Sequence, residues 1–416
     1  MLATKEAKEQ KISAWGEAAT GRENLDLGGL KLPTTRDERW RYTRVASILT
    51  RSMRPAPEAG PAPSERPLPN LDAWRLVFVD GHYIEHLSSG STVDGSYVGT
   101  WSESTRTYPE LLESWGRGGF ARKEWFAALQ AEGSQDGAAI HVPKGVDLRA
   151  KTILIEHHLS GPGIVAHPRN IIHLEAGAKA NVMLWSSSDE SADGLLNLAL
   201  DARVEDHAEL KLEYIQDEAG RNAHISHLHI TQASNSRLEV HTATARAHWL
   251  RNDLHIEQIG TDANAIFNGC FAPGDGQFTD HHTRIDHTVP DGTSAELYKG
   301  LAFKGGKAVF NGKIKVHQDA QRIEAFQKNS NILLERGATV YAKPELEIYA
   351  DDVRCSHGCT TGQFDEEAVF YLRSRGMTEG AARRLLTQAF LAEALSGLCD
   401  EAREHVEAAL LQRIHA

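Results

Sequence analysis

The chain has 416 residues, a formal net charge of −12, 41% hydrophobic residues and 25% charged ones. That length allows two or three domains with a large core, and the acidic balance argues against a nucleic-acid surface, which shows a basic stripe. No apolar run approaches the roughly 18 residues that cross a bilayer, the opening MLATKEAKEQ lacks a secretory apolar core, and four cysteines without framework spacing fit a reducing cytoplasm.

Residues 1 to about 48 read as helical at first and end in LPTTRDERWRYT (32–43). There Trp40 and Tyr42 are large anchors set to dock against the body of the protein. Residues 52–69 carry six prolines, which exclude a regular helix and favour an extended linker. RLVFVDGHYIEHL (75–87) reads as a hairpin turning at Asp80-Gly81. From Tyr108 to about Gln130, Leu111, Leu112, Trp115, Trp125, Phe126 and Leu129 recur at helical spacing.

From about residue 138 a different texture takes over. A polar turn followed by alternating apolar residues recurs from 143, 175, 205, 233, 260 and 290, with further copies from 304 and 335. Steps near 30 without intervening helices indicate a mainly β fold, a parallel β-helix, rather than a sandwich. The expected organisation is a mostly helical N-terminal region (1–137), a β-helix core (138–354) and a C-terminal helical domain (355–416). In the last, Asp365, Thr378 and Asp400 are placed to cap three helices, and Gly376 to end the first. Leu385, Leu386, Ala389, Phe390 and Leu395 form an apolar stripe on the second, suited to core or to a partner.

Several constellations carry potential chemistry. HISHLHI puts His227 and His229 on one strand face, read as an outward polar row or half a metal site. DHHTRIDH (280–287) puts Asp280, His282, Arg284 and Asp286 on one face, with mixed signs that favour a salt-bridged row. Cys270 and Cys399 read as structural. GLAFKGGKA (300–308) has the wrong glycine–lysine spacing for a phosphate loop, so no nucleotide is expected on this chain.

The most informative stretch is PELEIYADDVRCSHGCTTGQ, from Pro344 to Gln363. If it stays extended, Cys355, His357 and Cys359 share one side of a strand. Thiols and an imidazole suit iron, zinc or copper, but three donors do not close a four-coordinate site. The plain alternative is a turn with two small buried thiols and a backbone-bonded histidine.

KPELEIYADDVRCSHG resembles the C-terminal signature of the SufD family, subunits of the SUF iron–sulfur cluster assembly complex. LPTTRDERWRYT, DHHTRIDHTVP (280–290), ELYKGLAF (296–303) and AVFNGKIKVHQDAQ (308–321) are similar to segments of the same family, in the same order. The resemblance implies a β-helix core and a non-catalytic scaffold in the cytoplasm. It implies pairing with a SufB-like subunit, docking of the ATPase SufC, no nucleic acid and no membrane. A transient iron–sulfur cluster would form at the subunit interface. His357 and Cys355 correspond to the family's cluster-site positions, Cys359 has no role carried over, and residues 365–396, with Leu385, Leu386 and Phe390, map to the ATPase-docking region. A free homodimer, a β-helix carbohydrate-active enzyme and a purely structural homodimer are the alternatives.

Overall fold

Every coil of this protein turns on a residue with left-handed backbone. Gly177, His207, Asn235, Asp262, Asp291 and Arg322 all have φ between 56° and 73° and stand just before a strand. Glycine, asparagine and aspartate tolerate that region best, which is why short polar residues mark the repeats in the sequence. In the computed structural model, residues 2–63, 67–90, 93–107 and 123–414 are described.

Each period near 30 is one coil holding two strands, one in each of two facing parallel sheets, and the solenoid makes about eight turns. The sequence copies from 175, 205, 233, 260 and 290 lead into one sheet, sheet B, through strands such as Lys179–Ser188 and Glu209–Glu218. Those from 304 and 335 lead into the opposite sheet, sheet A, through Lys307–Val316 and Thr339–Ile348. The apparent half-step in the repeat is therefore the other strand of the same coil.

Three layers of packing follow. Between the sheets lies an apolar column that includes Leu198, Leu212, Val240, Ile256 and Phe267. The outer face of sheet B carries Trp185, Ile215 and Leu301, and is covered by Leu391, Leu395, Val406 and Leu410 of the C-terminal helices. The outer face of sheet A is covered by N-terminal residues, with Trp40, Ile48 and Phe126 packed on Leu195, Ile225 and Trp249. Strands in mid-solenoid are buried on both faces.

The N-terminal region contributes more strand than its pattern suggests. Ala73–Val79 joins sheet B beside Thr152–Leu159, and Tyr97–Thr100 closes the far edge of sheet A. The hairpin at 75–87 forms, with a return strand of only His82–Tyr83, and Asp80 and Gly81 both adopt positive φ. The helix expected over 108–130 is present as Trp125–Gly133; Leu111, Leu112 and Trp115 lie outside the described residues. At the other boundary, residues 355–363 belong to the last strand, Val353–Gln363, and helices begin at Glu366.

Asp365 caps Glu366–Ser374 through the Glu367 and Ala368 amides, and Thr378 caps Glu379–Leu395 through the Ala381 amide. Gly376, at φ 95°, follows the first helix. The third cap is shifted by one residue: Cys399 is the N-cap without a side-chain hydrogen bond, and Asp400 is in the first turn. The buried face of the second helix is also displaced. Leu391, Ala394 and Leu395 are buried, whereas Leu385 and Ala389 are exposed and Leu386 and Phe390 are half-buried.

Candidate functional site

The solenoid ends on two open edges. Thr339–Ile348 is the last strand of sheet A and Val353–Gln363 the last of sheet B, and neither has a further neighbour among the described residues. Their outward hydrogen-bonding groups form a template for another strand. Pro344, which cannot donate to a ladder, is placed on such an edge. Phe326, Tyr341, Ile348 and Tyr349 are exposed at this end, an apolar surface of the kind that partners cover.

Cys355, His357 and Cys359 lie on Val353–Gln363, which is an extended strand and not a turn. The face they share is the inward one. Cys355 pairs in register with Ala325, His357 with Gln327 and Cys359 with Asn329. Ala325, Gln327 and Asn329 are all buried, so the three donors continue the inward face of the solenoid. They are accessible because no further coil covers them: Cys355 is half-buried against the interior core, and His357 and Cys359 are exposed.

The three donors do not converge on one point. Strand residues two apart are separated by roughly 6.6 Å, so Cys355 and Cys359 stand about twice that apart along the strand. Among the described residues, donors converge within 4.8 Å only at His229, His255 and Glu257, on the other sheet. Burial raises the thiol pKa of both Cys355 and Cys359, so neither is held as a thiolate by the chain itself. Cys359 Sγ donates to Asn329 Oδ1 at 3.6 Å.

The column beneath His357 changes character along the solenoid. Leu212, Val240 and Phe267 are followed by Glu296, Gln327 and His357. Glu296 is 4% exposed, and burial pushes its carboxyl up to about 7, although hydrogen bonds from Thr283 and Gln327 pull the other way. Sequence inspection missed Glu296 because nothing in ELYKGLAF shows that it points inward; only the register does. Along this one column the interior turns from apolar to polar toward His357, while Phe310, Ile314 and Ala325 keep other core positions at that end apolar.

The other singled-out residues form a separate assembly. Arg251 donates to both oxygens of Asp253 at 2.9 and 3.0 Å and to Asp280 at 2.7 Å, and its guanidinium lies 3.9 Å over the Trp40 ring. His282 contacts Asp280 at 3.0 Å, and Arg284 contacts Asp286 at 2.6 Å. DHHTRIDH is therefore the salt-bridged row its charge pattern indicates, with His281 on the opposite, inner face against Phe271. Tyr42 stacks on Tyr341 at 4.2 Å, and Glu38 pairs with Lys343 at 2.6 Å. The 32–43 segment thereby braces the last strand of sheet A.

Of the expected docking residues, Leu385 is 44% exposed, while Phe390 belongs to the packing beneath its helix. Lys299 reaches the Phe390 carbonyl at 2.8 Å and Glu393 at 2.9 Å, fixing that helix to sheet B. Phe370 and Tyr371, on the preceding helix, are also exposed. Cys270 is buried beneath the helices, with its thiol pushed up to about 12 by burial. Among the described residues, no helix is long and apolar enough to cross a membrane.

A family model described as "SUF system FeS cluster assembly, SufBD core domain" matches residues 157–390, and one described as "SufBD protein N-terminal region" matches 18–154. The chain belongs to the SufBD family. Within it, the chain is 30% identical to the iron-sulfur cluster assembly protein SufD of Escherichia coli, over 92% of this chain and 89% of that one. It is 29% identical to the chloroplastic protein ABCI7 of Arabidopsis thaliana, over 91% and 82%. A SufBD-family iron-sulfur cluster assembly protein of Synechocystis is 28% identical over 89% and 84%. This SufBD-family chain is thus a SufD-like, scaffold-type iron–sulfur assembly protein.

Proposed function

We propose that this chain is a non-catalytic scaffold subunit that pairs through its open solenoid end with a SufB-like subunit. The nascent iron–sulfur cluster is shared across that interface, with His357 as this chain's ligand and Cys355 beside it. A SufC-like ATPase docks on the C-terminal helices around Leu385 and Leu386 and supplies the nucleotide chemistry.

The observation that carries this reading is the coincidence of site and edge. His357 and both thiols lie on the one strand that ends sheet B, beside unpaired strand edges and exposed apolar side chains. A partner adding its own strands would bring further ligands within reach of donors that do not close a site alone. An imidazole–thiolate environment tunes a cluster differently from four thiolates, which suits a cluster that is handed on. In the absence of that partner, the same edges would pair two copies of this chain. The reading places the protein in the cytoplasm.

Co-expression with a SufB-like and a SufC-like protein, followed by size-exclusion chromatography, tests the assembly. The expected result is one three-component peak, with ATP hydrolysis absent from this chain alone. Elution apart from both partners, or turnover by the isolated chain, would contradict it.

A further inference from the structure

His229 and His255 stand directly opposite each other on adjacent parallel strands of sheet A, Ala223–Gln232 and Trp249–Gln258. Their rings are 5.3 Å apart on the outer face of the solenoid. Glu257, two residues beyond His255 on the same face, reaches back between them. Its Oε1 lies 3.6 Å from His229 Nε2 and 3.5 Å from His255 Nε2.

These separations are long for a hydrogen bond and close to what a shared ion requires. Donors about 2.0–2.2 Å from a tetrahedral ion stand about 3.4 Å apart. All three ligand atoms lie within 4.8 Å of one another. Among the described residues the two imidazoles are the groups within ion-pairing distance of Glu257, whereas neighbouring Asp286 is paired with Arg284 and Asp201 with Arg169.

Carboxylates flank both imidazoles. His229 Nδ1 faces Asp201 Oδ1 at 3.8 Å, too far for a hydrogen bond, and Nε2 is turned toward Glu257. His255 Nε2 also contacts Asp286 at 3.2 Å, so an ion would replace the proton shared there. His255 and Glu257 line a cleft of about 180 Å³, which Lys313 and Glu345 also line.

We propose that His229 Nε2, His255 Nε2 and Glu257 Oε1 form a binding site for one borderline divalent ion of the Zn²⁺ or Fe²⁺ type. Two imidazoles and one carboxylate suit such ions rather than Mg²⁺ or Ca²⁺, which prefer oxygen donors. Three protein ligands leave at least one position for water, so the ion is exchangeable rather than locked into a closed site. Because the ligands come from successive coils, the bound ion ties those coils together. This site is distinct from His357 and does not depend on the cluster reading.

The test is calorimetric titration of the full-length protein, first stripped with chelator, with Zn²⁺ and, without oxygen, with Fe²⁺. Co²⁺ provides an optical readout of the ligand field. The expected result is one ion per chain and a higher melting temperature with metal. Glu257→Gln and His255→Ala should each weaken binding by at least about tenfold, with circular dichroism unchanged. His229→Gln keeps volume and polarity if His255→Ala fails to fold. A combined Cys355→Ser, His357→Ala variant should retain the ion. Binding that survives Glu257→Gln and His229→Gln undiminished, or that disappears with Cys355 and His357 instead, would overturn the proposal. So would the absence of binding by both ions.

Discussion

Arg251 is completely buried with its charge, and its environment accounts for why that is tolerated. Burial alone would raise the Asp253 carboxyl, but Arg251 and Arg39 outweigh it and hold that group well below the usual carboxylate range. Trp40 covers the guanidinium, so the N-terminal segment and two coils share one charge cluster. Arg251→Ala leaves Asp253 and Asp280 buried without the guanidinium they share, a defect worth about 3–5 kcal/mol. Chemical denaturation should show that loss, whereas His357→Ala, at an exposed position, should leave the midpoint nearly unchanged. Comparable midpoints for the two variants would contradict the assignment of one to structure and the other to function. Trp40 is recognisable in the sequence as an anchor, but Arg251 is not, because apart from Asp253 its partners lie 29 and about 210 residues away. His357 and Cys355 are legible through the motif around them. Their inward direction depends on the ladder with Gln327 and Ala325.

At the scale of elements, the caps are legible and the faces are not. Asp365 and Thr378 act locally, so side chain and amide are close in sequence and the pattern suffices. The apolar stripe of the second C-terminal helix is broader than the face that sheet B covers, so composition alone cannot tell Leu385 from Leu391. Leu391 is buried against the sheet, and Leu385 is exposed. Leu391→Ala should therefore cost about 2–5 kcal/mol of stability. Leu385→Asp should cost little stability but weaken capture of the SufC-like ATPase in a pull-down with the folded variant. Undiminished capture by a stable Leu385→Asp protein would place the docking surface elsewhere. The repeat period shows a similar mixture. One turn per coil near 30 residues is visible, but two strands per coil emerge only from the alternation between sheets.

For the whole molecule, a solenoid clad on both faces buries imidazoles that form no ion pair among the described residues. His157 bonds to Asn170 at 3.0 Å, His167 to the Ala19 carbonyl at 3.1 Å, and His281 lies near Thr244 and Asn252. Burial pushes each down to about 4. A folded pKa below the unfolded 6.5 gives stability that is present above 6.5 and lost as pH falls through 4, on the order of 3 kcal/mol per ring. Glu296 acts in the opposite sense: its raised value favours the fold below about 4.5 and loses that contribution as pH rises through 7. His227 and His287 are also pushed down to about 4, so the rings outnumber Glu296 and the other raised carboxyls, Glu124 and Asp136, and the melting temperature should fall steeply between pH 6.5 and 4. A melting temperature that stays flat over that interval would show that the rings are solvated.

Whether the open end of the solenoid donates a cluster ligand is decided by measuring iron and acid-labile sulfide per complex in His357→Ala, co-expressed with a SufB-like and a SufC-like protein. Complex yield and melting temperature are taken from the same preparations. The expected result is a normally assembled, normally stable complex that retains much less iron and sulfide than the parent. A stable His357→Ala complex with full iron loading would contradict it.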